Sequence, residues 1–118
     1  MIAGIVTADG EPIIDLFLDG RSWPAVVDSG FNGFLELPNV LRTTLNPRYL
    51  YDSATILAAG QTLVEQVFEV TISFDGQPTV AEASFAPVQQ ILVGTKLLAN
   101  HELTINFKAR TVRIERVP

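Results

Sequence analysis

Ala25-Val26-Val27-Asp28-Ser29-Gly30-Phe31-Asn32-Gly33 sets one aspartate at the end of an apolar run and turns the chain immediately after it. The β-branched pair Val26-Val27 predicts a buried strand, and Ser29-Gly30 supplies the residues of a turn. A carboxylate so placed is held by a rigid element and delivered to a loop, the position that acid–base chemistry requires. The same residues also suit a plainer arrangement, a polar strand end capped by an Asx-type turn. Only Asp28 is framed as apolar, apolar, Asp, Ser or Thr, Gly; Asp9-Gly10, Asp19-Gly20 and Asp75-Gly76 read as turn dipeptides.

On both sides of this stretch, nearly every segment predicts a strand. Ile13 to Leu18 is apolar and runs through Asp19-Gly20 into Trp23 to Asp28, a hairpin. Leu35-Glu36-Leu37 alternates. Pro38 to Leu45 predicts a short helix, with Pro38 at its first position and Asn46-Pro47 stopping it. Tyr49 to Ala58 and Thr62 to Phe74 are long and rich in β-formers, and Val64, Phe68, Val70 and Ile72 mark an apolar face of the second. Asp75-Gly76 is a type I′ signal joining that strand to Pro78–Phe85. Ile91-Leu92-Val93 is a short apolar strand closed by Gly94, Thr95 to Asn100 predicts a turn or so of helix capped by Thr95, and Leu103–Phe107 with Thr111–Val117 predicts a final hairpin. The expectation is one all-β domain spanning residues 1–118, with one or two short helices.

Composition narrows the function classes. Hydrophobic residues are 47% and charged residues 18%, a globular balance. No apolar run approaches the ~20 residues of a membrane span, and Met1-Ile2-Ala3-Gly4-Ile5 lacks the basic and apolar regions of a signal peptide. A soluble, cytoplasmic protein is expected. The absence of cysteine removes disulfides, thiolate zinc sites and thiol catalysis. Net charge is −5, and Lys108, Arg110, Arg113 and Arg116 are the one basic concentration, which on an exposed strand protects an edge. Nucleic acid is not an expected partner.

Other candidate chemistries lack parts. His101 is the single histidine, so no zinc-protease pair exists, and no Gly-x-Ser-x-Gly elbow accompanies it. It reads as an exposed residue at a strand start. Asp15 and Asp19 have no calcium-loop neighbours, and Trp23 reads as a core or interface anchor. No metal and no cofactor is expected.

The Asp28-Ser29-Gly30 loop, the long hairpin after it, and Ile91-Leu92-Val93-Gly94 followed by a short helical segment resemble the order of the small retroviral-type aspartic proteases. The stretch Val27-Asp28-Ser29-Gly30-Phe31-Asn32-Gly33-Phe34-Leu35-Glu36-Leu37-Pro38 is similar to the small bacterial members of that clan, which carry Asp-Thr-Gly-Phe-x-Gly. The resemblance covers Trp23 to Phe107 and implies a retropepsin-like closed β-barrel lobe. It implies Asp28 as the catalytic carboxylate, Ser29 and Gly30 as supports of its loop, and Leu92-Val93-Gly94 as the strand threading beside it. Ala58, Ala59, Gly60 and Gln61 correspond to a flap tip over a peptide, although an ordinary surface hairpin reads the same way. Phe31-Asn32 stands where retroviral enzymes have a small residue and then an acid, so substrate specificity does not carry over. Phe31 and Phe34 read as core or as subsite wall. Peptide hydrolysis by this chemistry needs two carboxylates, and one chain supplies one, so the implied enzyme is a homodimeric aspartic endopeptidase acting on a peptide or protein. The alternative from another class is a non-catalytic barrel serving dimerisation or peptide binding.

Overall fold

Alternation of β-branched and aromatic residues with polar ones builds ten strands, and the computed structural model describes all residues from Met1 to Pro118. They are β1 Ile2–Val6, β2 Pro12–Leu18, β3 Arg21–Val27, β4 Leu35–Pro38, β5 Arg48–Ile56, β6 Thr62–Phe74, β7 Gln77–Ala86, β8 Ile91–Val93, β9 His101–Asn106 and β10 Thr111–Arg116. One sheet holds them in the order β5-β6-β7-β4-β8-β3-β2-β1-β10-β9. It curls far enough for β2 to meet β6 through the pair Phe17–Ser73, so the expected barrel is represented by a sheet whose return contact is a single pairing.

Turn chemistry sets the register. Asp19-Gly20 and Asp75-Gly76 both hold positive φ at both residues, the type I′ geometry whose twist matches the flanking strands. In β6, Phe68, Val70, Ile72 and Phe74 point inward, but Val64 is 60% exposed, because the first half of that strand pairs only with β5 and projects beyond the core. The core collects Ile14, Leu16, Leu37, Ile91, Val93, Val112 and Ile114 with their neighbours in one cluster of 19 buried residues. Trp23 packs against that cluster and donates its indole N–H to the Leu18 carbonyl at 3.3 Å.

Helix content is lower than the sequence led us to expect. Pro38 ends β4 in an extended conformation (φ −59°, ψ 142°) instead of opening a helix, and only a 3-10 turn, Asn39–Leu41, follows. Leu41 alone of that turn is buried, and the β-branched Thr43-Thr44 pair disfavours propagation. Thr95–Asn100 forms successive turns with bonds from Leu97 to Gly94 and from Leu98 to Thr95, not an α-helix. Its first N–H groups, those of Thr95 and Lys96, already donate to Phe31 and Gly33, and β9 starts at His101. His101 is also not exposed: it is half-buried with its ring edge-on to Phe74, centroids 5.2 Å apart. β1, which no turn-bracketed alternation announces, lies between β2 and β10. No helix is long and apolar enough to cross a membrane.

Candidate active site

The apolar run Ala25-Val26-Val27 lies parallel to β8, pairing Ala25 with Ile91, Val26 with Leu92 and Val27 with Val93. All three β3 residues are buried, which fixes where the chain leaves the sheet. Asp28 is the next residue, and its N–H donates to the Val93 carbonyl at 2.9 Å. The turn then closes on the aspartate itself: Gly30 N–H donates to Asp28 Oδ1 at 2.9 Å and Phe31 N–H to the Asp28 carbonyl at 3.1 Å. Within the chain Oδ2 has no hydrogen-bond partner, and Ser29, exposed beside it, has none for its hydroxyl either. The loop thus holds its carboxylate in place by one oxygen and presents the other.

The segment after β8 is stitched to the same loop. Gly94 N–H donates to Phe34 at 2.9 Å, Thr95 N–H to Phe31 at 2.9 Å and Lys96 N–H to Gly33 at 3.1 Å. Gly94 is buried, and a Cβ there would collide with the Gly33 carbonyl oxygen and the Phe31 ring. Leu92-Val93-Gly94 therefore lies directly against the Asp28 loop, with glycine required for the close approach of two backbones.

β5 and β6 form a hairpin whose tip bonds Leu57 N–H to the Gln61 carbonyl at 2.7 Å and Gly60 N–H to the Leu57 carbonyl at 2.9 Å. Gly60 takes φ +82°, the left-handed position of a three-residue loop. Ala58, Ala59, Gly60 and Gln61 are all exposed, between the exposed apolar arms Ile56 and Leu63. A cleft of about 460 Å³ separates the hairpin shaft from the Asp28 loop. Phe31, Asn32, Gly33, Phe34 and Leu35 form one wall, and Tyr51, Ser53, Thr55, Glu65 and Val67 another, with Glu82–Ser84 and Lys96 completing it. Phe31 and Phe34 are thus cleft wall, while the tip residues stand clear of this lining.

Several cleft residues were not singled out from the sequence. The Tyr51 hydroxyl bonds to the Glu82 carboxylate, and that bond raises the phenol above its ordinary range. Glu65 has no cationic partner, and together with partial burial it acts on Glu36, whose carboxyl is raised above the ordinary 4.5, first by desolvation and then by Glu65. A carboxyl raised in the folded state favours the protonated form. Its cost to stability is therefore absent below the unfolded value and grows as pH rises through the folded one. Glu36→Gln is expected to raise the melting temperature at pH 7 and leave it unchanged at pH 4, checked by thermal scans at both. The signal available beforehand was parity: Leu63, Glu65 and Val67 share one strand face, and Tyr51, Ser53 and Thr55 oppose them across the hairpin.

The sequence matches no protein-family model and no curated protein sequence. Solved structures do match. A retropepsin-like aspartic protease from Rickettsia conorii superposes with a TM-score of 0.69 at 13% identity, over 98% of this chain and 92% of that one. The protease of simian foamy virus (TM-score 0.60, 18% identity) covers 74% of this chain and 91% of its own. The EIAV protease, solved with the inhibitor HBY-793, gives 0.60 at 15% identity over 79% and 89%. At such identities the likeness is one of backbone and topology: this chain has the fold of the retropepsin-like aspartic proteases.

Proposed function

We propose that this protein is an aspartic endopeptidase whose active site forms when two copies bring their Asp28 residues together. The observation that carries this reading is the Asp28 loop: a carboxylate with one oxygen bound by Gly30 N–H and the other free, in this fold, on a loop whose following residues, Phe31 to Leu35, wall a cleft of about 460 Å³. Two carboxylates at close range cannot both ionise easily, so the pair holds one proton between them. The ionised member takes a proton from water as that water attacks the scissile carbonyl carbon. The protonated member donates to the carbonyl oxygen, and the resulting diol collapses with proton transfer to the leaving amine. Ser29, with its hydroxyl unengaged inside the chain, braces the loop against its counterpart across the two-fold axis. The β5–β6 hairpin, with Ala58–Gln61 at its tip, closes over an extended substrate whose backbone pairs with strand edges.

A second reading has its own support: the Gly30–Asp28 bond is an Asx turn, sufficient by itself to explain an aspartate there. In that case the protein is a binding module of the same fold. Incubation with a diverse peptide pool from pH 4 to 7 separates the two. Cleavage blocked by a statine-type inhibitor and absent in Asp28→Asn supports the enzyme; peptide retention without cleavage at any pH supports the module.

A further inference from the structure

The cleft between the hairpin shaft and the Asp28 loop has two carboxylates in its lining, and they are not equivalent. Glu82, on β7, accepts a hydrogen bond from the Tyr51 hydroxyl. Glu65, on β6, is half-buried yet has neither a hydrogen bond nor an ion pair within the chain. A carboxylate drawn partly out of water without a donor or a cation is costly, so a group that supplies both gains more there than on an open surface. After burial, the Glu65 charge is what raises the Glu36 carboxyl on β4 above its ordinary 4.5. No cation offsets it. Lys96 is the one basic residue of the lining, is exposed, and forms no ion pair with either carboxylate.

The remaining surroundings of Glu65 are largely apolar or aromatic. Val67 shares its strand face, Tyr51 pairs with Val67 across the hairpin, and Phe31 and Phe34 stand on the facing wall. An acid among such walls matches a side chain with a long hydrocarbon stem and a cationic head. Ring faces favour guanidinium over ammonium, because guanidinium stacks on them and is more weakly hydrated.

We propose that Glu65 is the specificity-determining residue of this cleft and selects peptides that carry an arginine, with lysine second, at the position reaching it. The arginine lays its methylene groups on Val67 and the Phe31 and Phe34 rings and sets its guanidinium against the Glu65 carboxylate. This rests on the cleft being the peptide site of the proposed endopeptidase, and it adds the substrate class. An extended peptide sends alternate side chains to one wall, so the preference belongs to particular positions and not to every residue.

The probe is a set of peptides of one apolar sequence with arginine, leucine or glutamate placed at each position in turn. Cleavage by the wild type is measured as kcat/KM, and retention by Asp28→Asn as fluorescence anisotropy. At one position the arginine peptide is expected to exceed the leucine peptide by roughly 10-fold or more, the worth of a hydrogen bond to a charged group, with glutamate the poorest. Glu65→Gln is expected to bring the arginine-to-leucine ratio near one, and Glu65→Lys to reverse the order in favour of glutamate. Each ratio is read within a single preparation, so a change in total activity does not imitate it. Cleavage with no arginine preference at any position, or with a preference that survives Glu65→Gln, overturns the assignment and leaves the protease reading intact. Retention that depends on arginine and on Glu65, without cleavage, supports the assignment and removes the protease. Neither cleavage nor retention of any peptide overturns both.

Discussion

Asp28→Asn is expected to abolish peptide cleavage while leaving the fold in place. The separation of the two effects comes from the turn. Asn retains an oxygen that accepts the Gly30 N–H, and the backbone bond from Asp28 N–H to Val93 does not involve the side chain. The Asx turn therefore survives, and the melting temperature is expected to stay within a few degrees of wild type, matching the ~0.5 kcal/mol of a neutral surface change. Chemistry has no such substitute. In a homodimer one substitution removes both carboxylates, so neither a base for water nor an acid for the carbonyl oxygen remains. General acid–base catalysis contributes about 10²–10⁴-fold per group, and the expected loss is at least that large. Turnover of a peptide substrate, measured beside a thermal scan, checks both halves. Loss of activity together with unfolding would mean that Asp28 matters here chiefly as a cap.

Gly94→Ala has the largest expected effect on stability. The position is buried, and the added methyl would meet the Gly33 carbonyl oxygen and the Phe31 ring. A backbone oxygen cannot move aside as the end of a flexible side chain does. Either the Gly94–Phe34 and Lys96–Gly33 bonds lengthen or β8 shifts against β3. Overpacking of this kind costs roughly 1–3 kcal/mol, which for a domain of this size lowers the melting temperature by about 5–15 °C. Because Val93 holds the Asp28 N–H, any shift of β8 also displaces the carboxylate, and catalysis should fall even below the transition. Thermal unfolding and activity at a permissive temperature check the two consequences. A variant as stable as wild type would show that the two loops are less tightly joined than their hydrogen bonds imply.

Strands were legible in the sequence wherever a turn residue bracketed an alternating or a short apolar run. Thr62–Phe74 and Ile91–Val93 have the bounds that their patterns predict, and Asp75-Gly76 makes the turn that its chemistry demands. What failed was local propensity read without neighbours. Pro38 looked like a helix start because nothing in the sequence shows β4 pairing with β7 as far as Ala86. Thr95–Asn100 reads as helical because Thr95 is a good cap, but the six residues before β9 close only bonds three residues back, Leu97 to Gly94, Leu98 to Thr95 and Ala99 to Lys96. Ile2–Val6, short and interrupted by Gly4, carries no alternation strong enough to declare itself, and it becomes a strand because β2 and β10 flank it. At the candidate site, the position of Asp28 at the end of a buried strand could be read directly. The cleft carboxylates could not: Glu65 and Glu82 lie on different strands, and only the folded sheet brings them to one cleft and sets Glu65 close enough to act on Glu36 of a third strand.

The proposed active site contains the Asp28 of two different copies, and subunit mixing reveals whether it does. Wild-type chains exchanged with increasing proportions of Asp28→Asn, at constant total protein, form mixed dimers that have only one competent carboxylate. Activity is expected to fall as the square of the wild-type fraction, to about one quarter in an equal mixture if exchange is random. A linear fall, to about one half, would mean that each chain works alone and that no site is shared between copies.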